Sequence, residues 1–355
     1  MLEFSGLLAS PAAMKTFYSP AHQGHAPKEE FEKGQLTPAV EIPVRAENVK
    51  ARIEALKLGP VLPPEHFDDA AIRRVHDQPF IDFLAGAYDA WAARYGQGAE
   101  AIPSCWPARG LRERRAGDIE SALGSYAFDT ATPITKGTWS AARAAADVAL
   151  SGAQAIANGE GAAFALTRPP GHHASGDLFG GYCYLNNVAI AAQWLRGKAL
   201  RPAILDVDYH HGNGTQTIFY GRDDVFFASL HADPATDYPH FLGFADEKGE
   251  GPGEDATLNL PMPRGTDWSA YGDALGKAAQ AIEAFGADVL LVSLGLDTFE
   301  HDPISHFRIR SDDYLALGSA VAKLKKPTLF VFEGGYHVDA LALNTTNVLE
   351  GFLNR

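Results

Sequence analysis

From residue 162 onward the chain repeats one feature: short, unbroken apolar runs set apart by longer mixed segments. The runs are AAFAL (162–166), AILDV (203–207), VFFASL (225–230), DVLLVSL (288–294) and TLFVF (328–332). A strand that is apolar at every position is buried on both faces, which happens in parallel sheets covered by helices. The segments between them read as those helices: VAIAAQWL (188–195), YGDALGKAAQAIEAF (271–285) and YLALGSAVAKL (314–324) are amphipathic at helical spacing. Upstream, Val49, Ile53 and Leu56, then Phe80, Leu84 and Trp91, keep the same period, and KTFYS (15–19) is strand-like. An Ala-rich helix is expected from Thr138, read as its N-cap, to Gly159. With no repeat and no linker, the expectation is one α/β domain: a parallel sheet, helices on both faces, and long loops at the strand ends.

Composition narrows the function. The 355 residues include no apolar run near the roughly 18–20 a membrane helix needs, so no membrane partner is expected. Two cysteines, Cys105 and Cys183, cannot make a disulfide scaffold or a four-cysteine zinc site. A net charge of −14 argues against nucleic acid and suits a cationic substrate, though it also serves solubility. The first thirteen residues lack the basic start of a secretory signal, so 1–13 is read as an N-terminal extension, 14–355 as the folded unit, and the compartment as cytoplasmic. A polar segment, GQGAEAIPSCWPARGLRERRAGDI (96–119), is long enough to expect a functional loop.

In open α/β sheets ligands bind outside the carboxyl ends of the strands, and the unusual polar residues of this chain gather there. The run 203–207 leads into Asp206, Asp208, His210 and His211; alternate side chains on an extended backbone share a face, so Asp206, Asp208 and His210 are expected to converge. Adjacent buried carboxylates require a cation. Asp208 and His210, with Asp297 from the end of 288–294, would make a three-ligand metal site with an open position, as in catalytic zinc; Fe(II) or Co(II) also suits the donors. An Asp/His capping cluster is the structural alternative. His172 and His173, in the loop after 162–166, place a proton acceptor for a water beside such a metal, with Asp206 and Asn213 as candidate partners for the two rings. Tyr336, after two glycines at the end of 328–332, could donate to a developing oxyanion or simply pack.

The segments RPPGHH (168–173), GGYCYLNN (180–187), DVDYHHGNGTQ (206–216), SLGLDTFEHDPIS (293–305) and EGGYH (333–337) together resemble the histone deacetylase superfamily, whose fold is arginase-like. FFASLHADPATDYPHFLG (226–243) and GDIES (117–121) carry a likeness to its bacterial acetylpolyamine amidohydrolase branch. The resemblance implies zinc on Asp208, His210 and Asp297, His173 as general base and acid, and His172 as an electrostatic partner held by Asp206. It implies Tyr336 as oxyanion donor, with Asn213 standing where many eukaryotic relatives have aspartate. It further implies structural potassium at Asp206, Asp208, His210, Ser229 and Leu230, and a second monovalent site at Phe219, Arg222 and Val225. Tyr182 and Tyr238 would wall the acyl tunnel, the Gly181 carbonyl would accept from the substrate amide, and Arg45 would line an inner channel. In that branch the long loop (96–120) shapes a homodimer and the tunnel mouth. Glu120 would there bind the distal ammonium of a polyamine, and Asp129 stands near a second acidic position. Arg109, Arg112, Arg114 and Arg115 in the same loop would repel a polyamine unless turned toward a partner subunit.

The implied activity is zinc-dependent deacetylation of N-acetylated polyamines or related small cationic amines. Acetyl-lysine deacetylation of proteins is the rival within the superfamily, and a non-catalytic amide- or polyamine-binding protein the rival outside it. Serine hydrolysis is disfavoured because no G-x-S-x-G elbow is present.

Overall fold

In a computed structural model, which describes residues 13–108 and 117–354, all five apolar runs are strands. In chain order the strands are β1 (Lys15–Phe17), β2 (Glu29–Glu32), β3 (Gln35–Pro38), β4 (Val61–Leu62), β5 (Ala162–Ala165), β6 (Pro202–Asp206), β7 (Phe226–Ala232), β8 (Thr257–Met262), β9 (Val289–Leu294) and β10 (Thr328–Phe332). Eight of them form one parallel sheet in the order β4-β1-β5-β10-β9-β6-β7-β8, while β2 and β3 pair antiparallel as a separate hairpin. The helices are α1 (Val44–Leu56), α2 (Gln78–Tyr95), α3 (Ile119–Tyr126), α4 (Thr138–Ala157), α5 (Asn187–Arg196), α6 (Asn213–Phe219), α7 (Trp268–Phe285), α8 (Asp313–Ala322) and α9 (Val338–Leu353).

Alternation along the strands sorts the core into two layers. Phe164, Leu205, Val292 and Phe330 pack with α1, α7, α8 and α9, whereas Ala163, Ile204, Leu291 and Leu329 pack with α4 and α5. Each of these side chains is essentially inaccessible, and burying a Leu or Phe contributes about 1.5–3 kcal/mol. A third cluster joins α2 and α3 to the loop carrying Phe179 and Tyr184.

Two details differ from the sequence expectation. Thr138 is the first helical residue of α4 rather than its cap; the cap position is Gly137, and the Thr138 hydroxyl accepts from the Thr135 N–H (2.7 Å). The strand β8 lies outside the apolar runs because it is an edge strand whose Leu258 and Leu260 are only half-buried, and it carries Pro261, which an edge tolerates. Residues 1–12 of the expected extension, and Arg109, Arg112, Arg114 and Arg115 of the long loop, lie outside the described residues. The loop ends at Asp118, whose side chain caps α3 by accepting from the Glu120 N–H, so Glu120 sits in the first turn of a helix. Among the described residues no helix is long and apolar enough to cross a membrane.

The helices α8 and α9 touch backbone to backbone at Gly318, where an added Cβ would meet the Val348 carbonyl oxygen at 2.0 Å. Helix propensity alone favours alanine over glycine by about 1 kcal/mol. The clash is with backbone, which cannot swing aside, so it reverses the sign. Gly318→Ala is expected to destabilise by about 1–3 kcal/mol, read as a lower midpoint in thermal or urea unfolding.

Candidate active site

The strands β5, β10, β9 and β6 are neighbours at the centre of the sheet, so the loops at their carboxyl ends meet over one spot. Asp206 is the last residue of β6. Its Oδ1 accepts the Asp208 N–H (3.1 Å), and Asp208 Oδ1 in turn accepts the His210 N–H (2.9 Å). These local bonds bend the strand end, so the three side chains do not share one partner. Asp206 turns to His172, with Oδ2 3.0 Å from Nδ1. Asp208 and His210 turn to Asp297, which follows β9. The His210 Nδ1 lies 2.9 Å from Asp297 Oδ2 and 3.3 Å from Asp208 Oδ1.

The three side chains are buried and their ligand atoms lie within 4.8 Å of one another. Two carboxylates and an imidazole with so little water demand a cation. Burial and the neighbouring Asp208 push the Asp297 carboxyl up to about 7. His210, though burial opposes its charge, is held up to about 10 by hydrogen bonds and charge from Asp208 and Asp297. A divalent metal would answer the same need for positive charge, and one nitrogen with two carboxylate donors suits zinc, iron(II) or cobalt(II). The backbone approaches here as the double glycine implies: the Gly334 N–H donates to Asp208 Oδ2 (3.0 Å), and a Cβ on Gly334 would lie 2.6 Å from carboxylate oxygens of both aspartates. His172, Cys183 and Glu333 also converge, but their polar atoms are already engaged. His172 bonds Asp206, the Cys183 thiol donates to the Gly181 carbonyl (3.2 Å), and Glu333 accepts from the Gly171 and His172 N–H groups (2.6 and 3.2 Å).

The two histidines differ as their partners do. Although burial opposes charge on His172, Asp208 and Asp206 hold it up to about 10, so the ring is a cation. Burial and the cationic His172 and His210 keep His173 well below the ordinary value. Its Nδ1 lies 2.6 Å from the Asn213 amide oxygen, which places the proton on Nδ1 and leaves the other ring nitrogen as an acceptor.

Tyr336 is carried by a loop that Arg45 holds from behind. The fully buried guanidinium donates from Nε to the Gly335 carbonyl (2.6 Å) and from Nη2 to the Glu333 carbonyl (2.7 Å), and it lies 4.8 Å from the Tyr336 ring centroid. Asp302 accepts the Tyr336 N–H (2.7 Å). Burial pushes the Tyr336 phenol well above its usual value, so it stays a donor. The pocket in front of these groups is walled by Tyr182, Tyr238 and Ile304, with His173, His210 and Tyr336 at its inner end. Carboxylates anchor both tyrosines: Tyr182 donates to the buried Glu30 (3.0 Å) and Tyr238 to the partly buried Asp129 (2.7 Å). Asp129 also accepts the Gly181 N–H (2.6 Å).

Other expected residues lie apart from this pocket. Ser229 and Leu230 are in β7, with Ser229 in register beside Asp206. Phe219, Arg222 and Val225 form the turn between α6 and β7; the Phe219 carbonyl accepts the Arg222 N–H (3.0 Å) and the Arg222 side chain grips Asp224. Glu120 is engaged on its own subunit by Arg94 (2.9 Å) and by the Tyr95 hydroxyl. Sequence reasoning passed over Glu333, Asp302 and Glu30. Glu333 opens the EGGYH motif and Asp302 falls within DTFEHDPIS, so both were in view without a role. Nothing marked Glu30, which reaches the site only through the hairpin.

One divalent ion per chain is the expected content of purified protein. Asp297→Asn removes a charged donor and should cut bound metal several-fold, measured by elemental analysis, with circular dichroism confirming the fold.

Comparison with known proteins agrees with this geometry. A family model for the histone deacetylase domain matches residues 39–352. Acetylpolyamine amidohydrolase 2 of Pseudomonas aeruginosa is 51% identical over 340 residues, covering 96% of this chain and 98% of that protein. The acetylpolyamine amidohydrolase of Mycoplana ramosa is 48% identical over 339 residues, covering 95% and 99%. A crystal structure of the acetylpolyamine aminohydrolase from Burkholderia pseudomallei superimposes with a TM-score of 0.92 at 38% identity, covering 96% of this chain and 98% of that one. On sequence and fold alike, the chain belongs to the histone deacetylase domain family.

Proposed function

We propose that this chain is a zinc-dependent amidohydrolase that removes acetyl from N-acetylated polyamines or related small cationic amines, releasing free amine and acetate. The observation that carries the reading is the Asp208–His210–Asp297 cluster, set beside an unequal histidine pair at the inner end of an aromatic-walled pocket. The names of the relatives support the substrate class.

Asp208, His210 and Asp297 would hold the zinc, which when bound supplies Lewis acidity toward the acetyl carbonyl and the attacking water. His173, neutral and with its Nδ1 proton given to Asn213, takes a proton from that water. His172, cationic against Asp206, stabilises the negative charge that builds on the carbonyl oxygen, and Tyr336 donates to that oxygen. As the C–N bond breaks, His173 returns its proton to the departing nitrogen. Tyr182 and Tyr238 pack along an unbranched methylene chain while the Gly181 carbonyl accepts from the substrate amide. Arg45 keeps Tyr336 in place and lines the inner channel behind it.

Structural potassium would sit on Asp206, Asp208, His210, Ser229 and Leu230, with a weaker monovalent site at Phe219, Arg222 and Val225. A cytoplasmic homodimer completes the reading. The unpaired Cys105 and Cys183 suit a reducing compartment, and exposed Trp106 and Phe241 suit a surface covered by a second copy.

Tyr336→Phe should lower kcat by about 10²–10³-fold with bound metal unchanged; equal turnover would remove the oxyanion role. The reading as a whole is tested by comparing kcat/KM for a monoacetylated diamine such as N-acetylputrescine with that for an acetyl-lysine peptide. Strong preference for the diamine is expected, and equal or better peptide turnover would make the chain a lysine deacetylase instead.

A further inference from the structure

The hairpin of β2 and β3 leans over the pocket, although no motif in the sequence marked it. Glu32, at the end of β2, is part of the pocket wall together with Asp129, Ala131 and Tyr182. Among the described residues, no lysine or arginine lines that wall. The hairpin is braced from two sides. The Thr130 hydroxyl donates to the Phe31 carbonyl (2.8 Å), and Tyr182 donates to the buried Glu30 (3.0 Å). Glu32 is therefore held at the mouth by its neighbours in sequence rather than left on a free loop.

The three acidic residues here are not equivalent. Asp129 is saturated: one oxygen takes the Gly181 N–H and the Tyr238 hydroxyl, the other the Ala131 N–H and the Thr132 hydroxyl. Glu30 is buried and committed to Tyr182. Glu32 pairs with the adjacent Lys33 (2.6 Å), whose side chain is 88% exposed. An ion pair between neighbours in water is weak and exchangeable, so an incoming ammonium can take the place of Lys33. Glu120, the acidic group expected to meet the far end of the substrate, is occupied by Arg94 and Tyr95 and is not in the pocket wall.

We propose that Glu32 is the specificity-determining carboxylate of the pocket, receiving the distal ammonium of an unbranched N-acetylated amine whose acetyl end lies at His173 and Tyr336. The assignment rests on the deacetylase reading above. The subunit thus carries a cation receptor of its own on the hairpin.

The test compares a monoacetylated diamine with the uncharged N-alkylacetamide of the same chain length, as the ratio of their kcat/KM values. In Glu32→Gln this ratio is expected to fall about five-fold, the worth of one half-exposed ion pair, and to fall chiefly through KM for the diamine. Lys33→Ala removes the competing ammonium and should hold the ratio at or above that of the native protein. A ratio unchanged in Glu32→Gln overturns the assignment, and so does an equal fall in Lys33→Ala, which would trace the effect to hairpin conformation. If the native protein turns over neither compound, the deacetylase reading itself fails. Turnover with an insensitive ratio sinks only the role of Glu32.

Discussion

Four carboxylates, Asp206, Asp208, Asp297 and Glu333, are buried almost completely over the carboxyl ends of four adjacent strands. Ionised groups removed from water must be met by donors or cations, and the loops are shaped to meet them. The N–H groups of Asp208, Tyr209, His210, Gly334, Gly171 and His172 all point into this cluster. Each loop conformation at the site is thus a way of aiming backbone dipoles at negative charge. What the backbone leaves over falls to His172 and to the ion that Asp208, His210 and Asp297 would share.

A second layer of charge stands behind the first. Glu41, at the entry to α1, accepts from both Arg45 (2.7 Å) and Arg168 (2.8 Å), all three fully buried. Arg45 reaches the loop after β10, while Arg168 opens the loop after β5 and donates to the His22 carbonyl (2.7 Å). The N-terminal helix is thereby keyed to two of the four catalytic loops. Two cations on one carboxylate leave Glu41 well below its ordinary value, down to about 2, even though burial pulls the other way. Removing any one member strands the others in a medium of low polarizability, which is why such groups act as a unit.

Much of the arrangement was legible because it is written as local pattern. The runs at 203–207 and 288–294 declare buried strands, and the placement of ligands at strand ends then locates Asp206, Asp208, His210 and Asp297 before any coordinates are seen. Which ring takes Asp206 and which takes Asn213 stays open in the residues alone; the structure gives Asp206 to His172 and Asn213 to His173. What escaped depends on contacts between distant parts of the chain. Glu30 meets Tyr182 across 152 positions and Arg45 meets Gly335 across 290, and no periodicity encodes such a meeting. Asp206 and Asp208 do flank one ring, that of His172, at 3.0 and 3.8 Å, while His210 turns to Asp297 because side-chain bonds to the backbone bend the chain past Asp206.

The order of the strands has a consequence for how the molecule is made. β9 and β10 fill the gap between β5 and β6, yet they follow every other strand of this sheet in the chain and leave the ribosome after them. Until they arrive, β5 and β6 each present an open, apolar edge inward, the kind of surface that recruits other chains. The sheet is closed from its middle rather than extended at its rim. Loss of the segment from β9 onward would therefore remove the keystone and leave two half-sheets with nothing between them. Asp297 and Tyr336 ride on those closing strands, so the reactive centre is assembled by the same event that completes the fold.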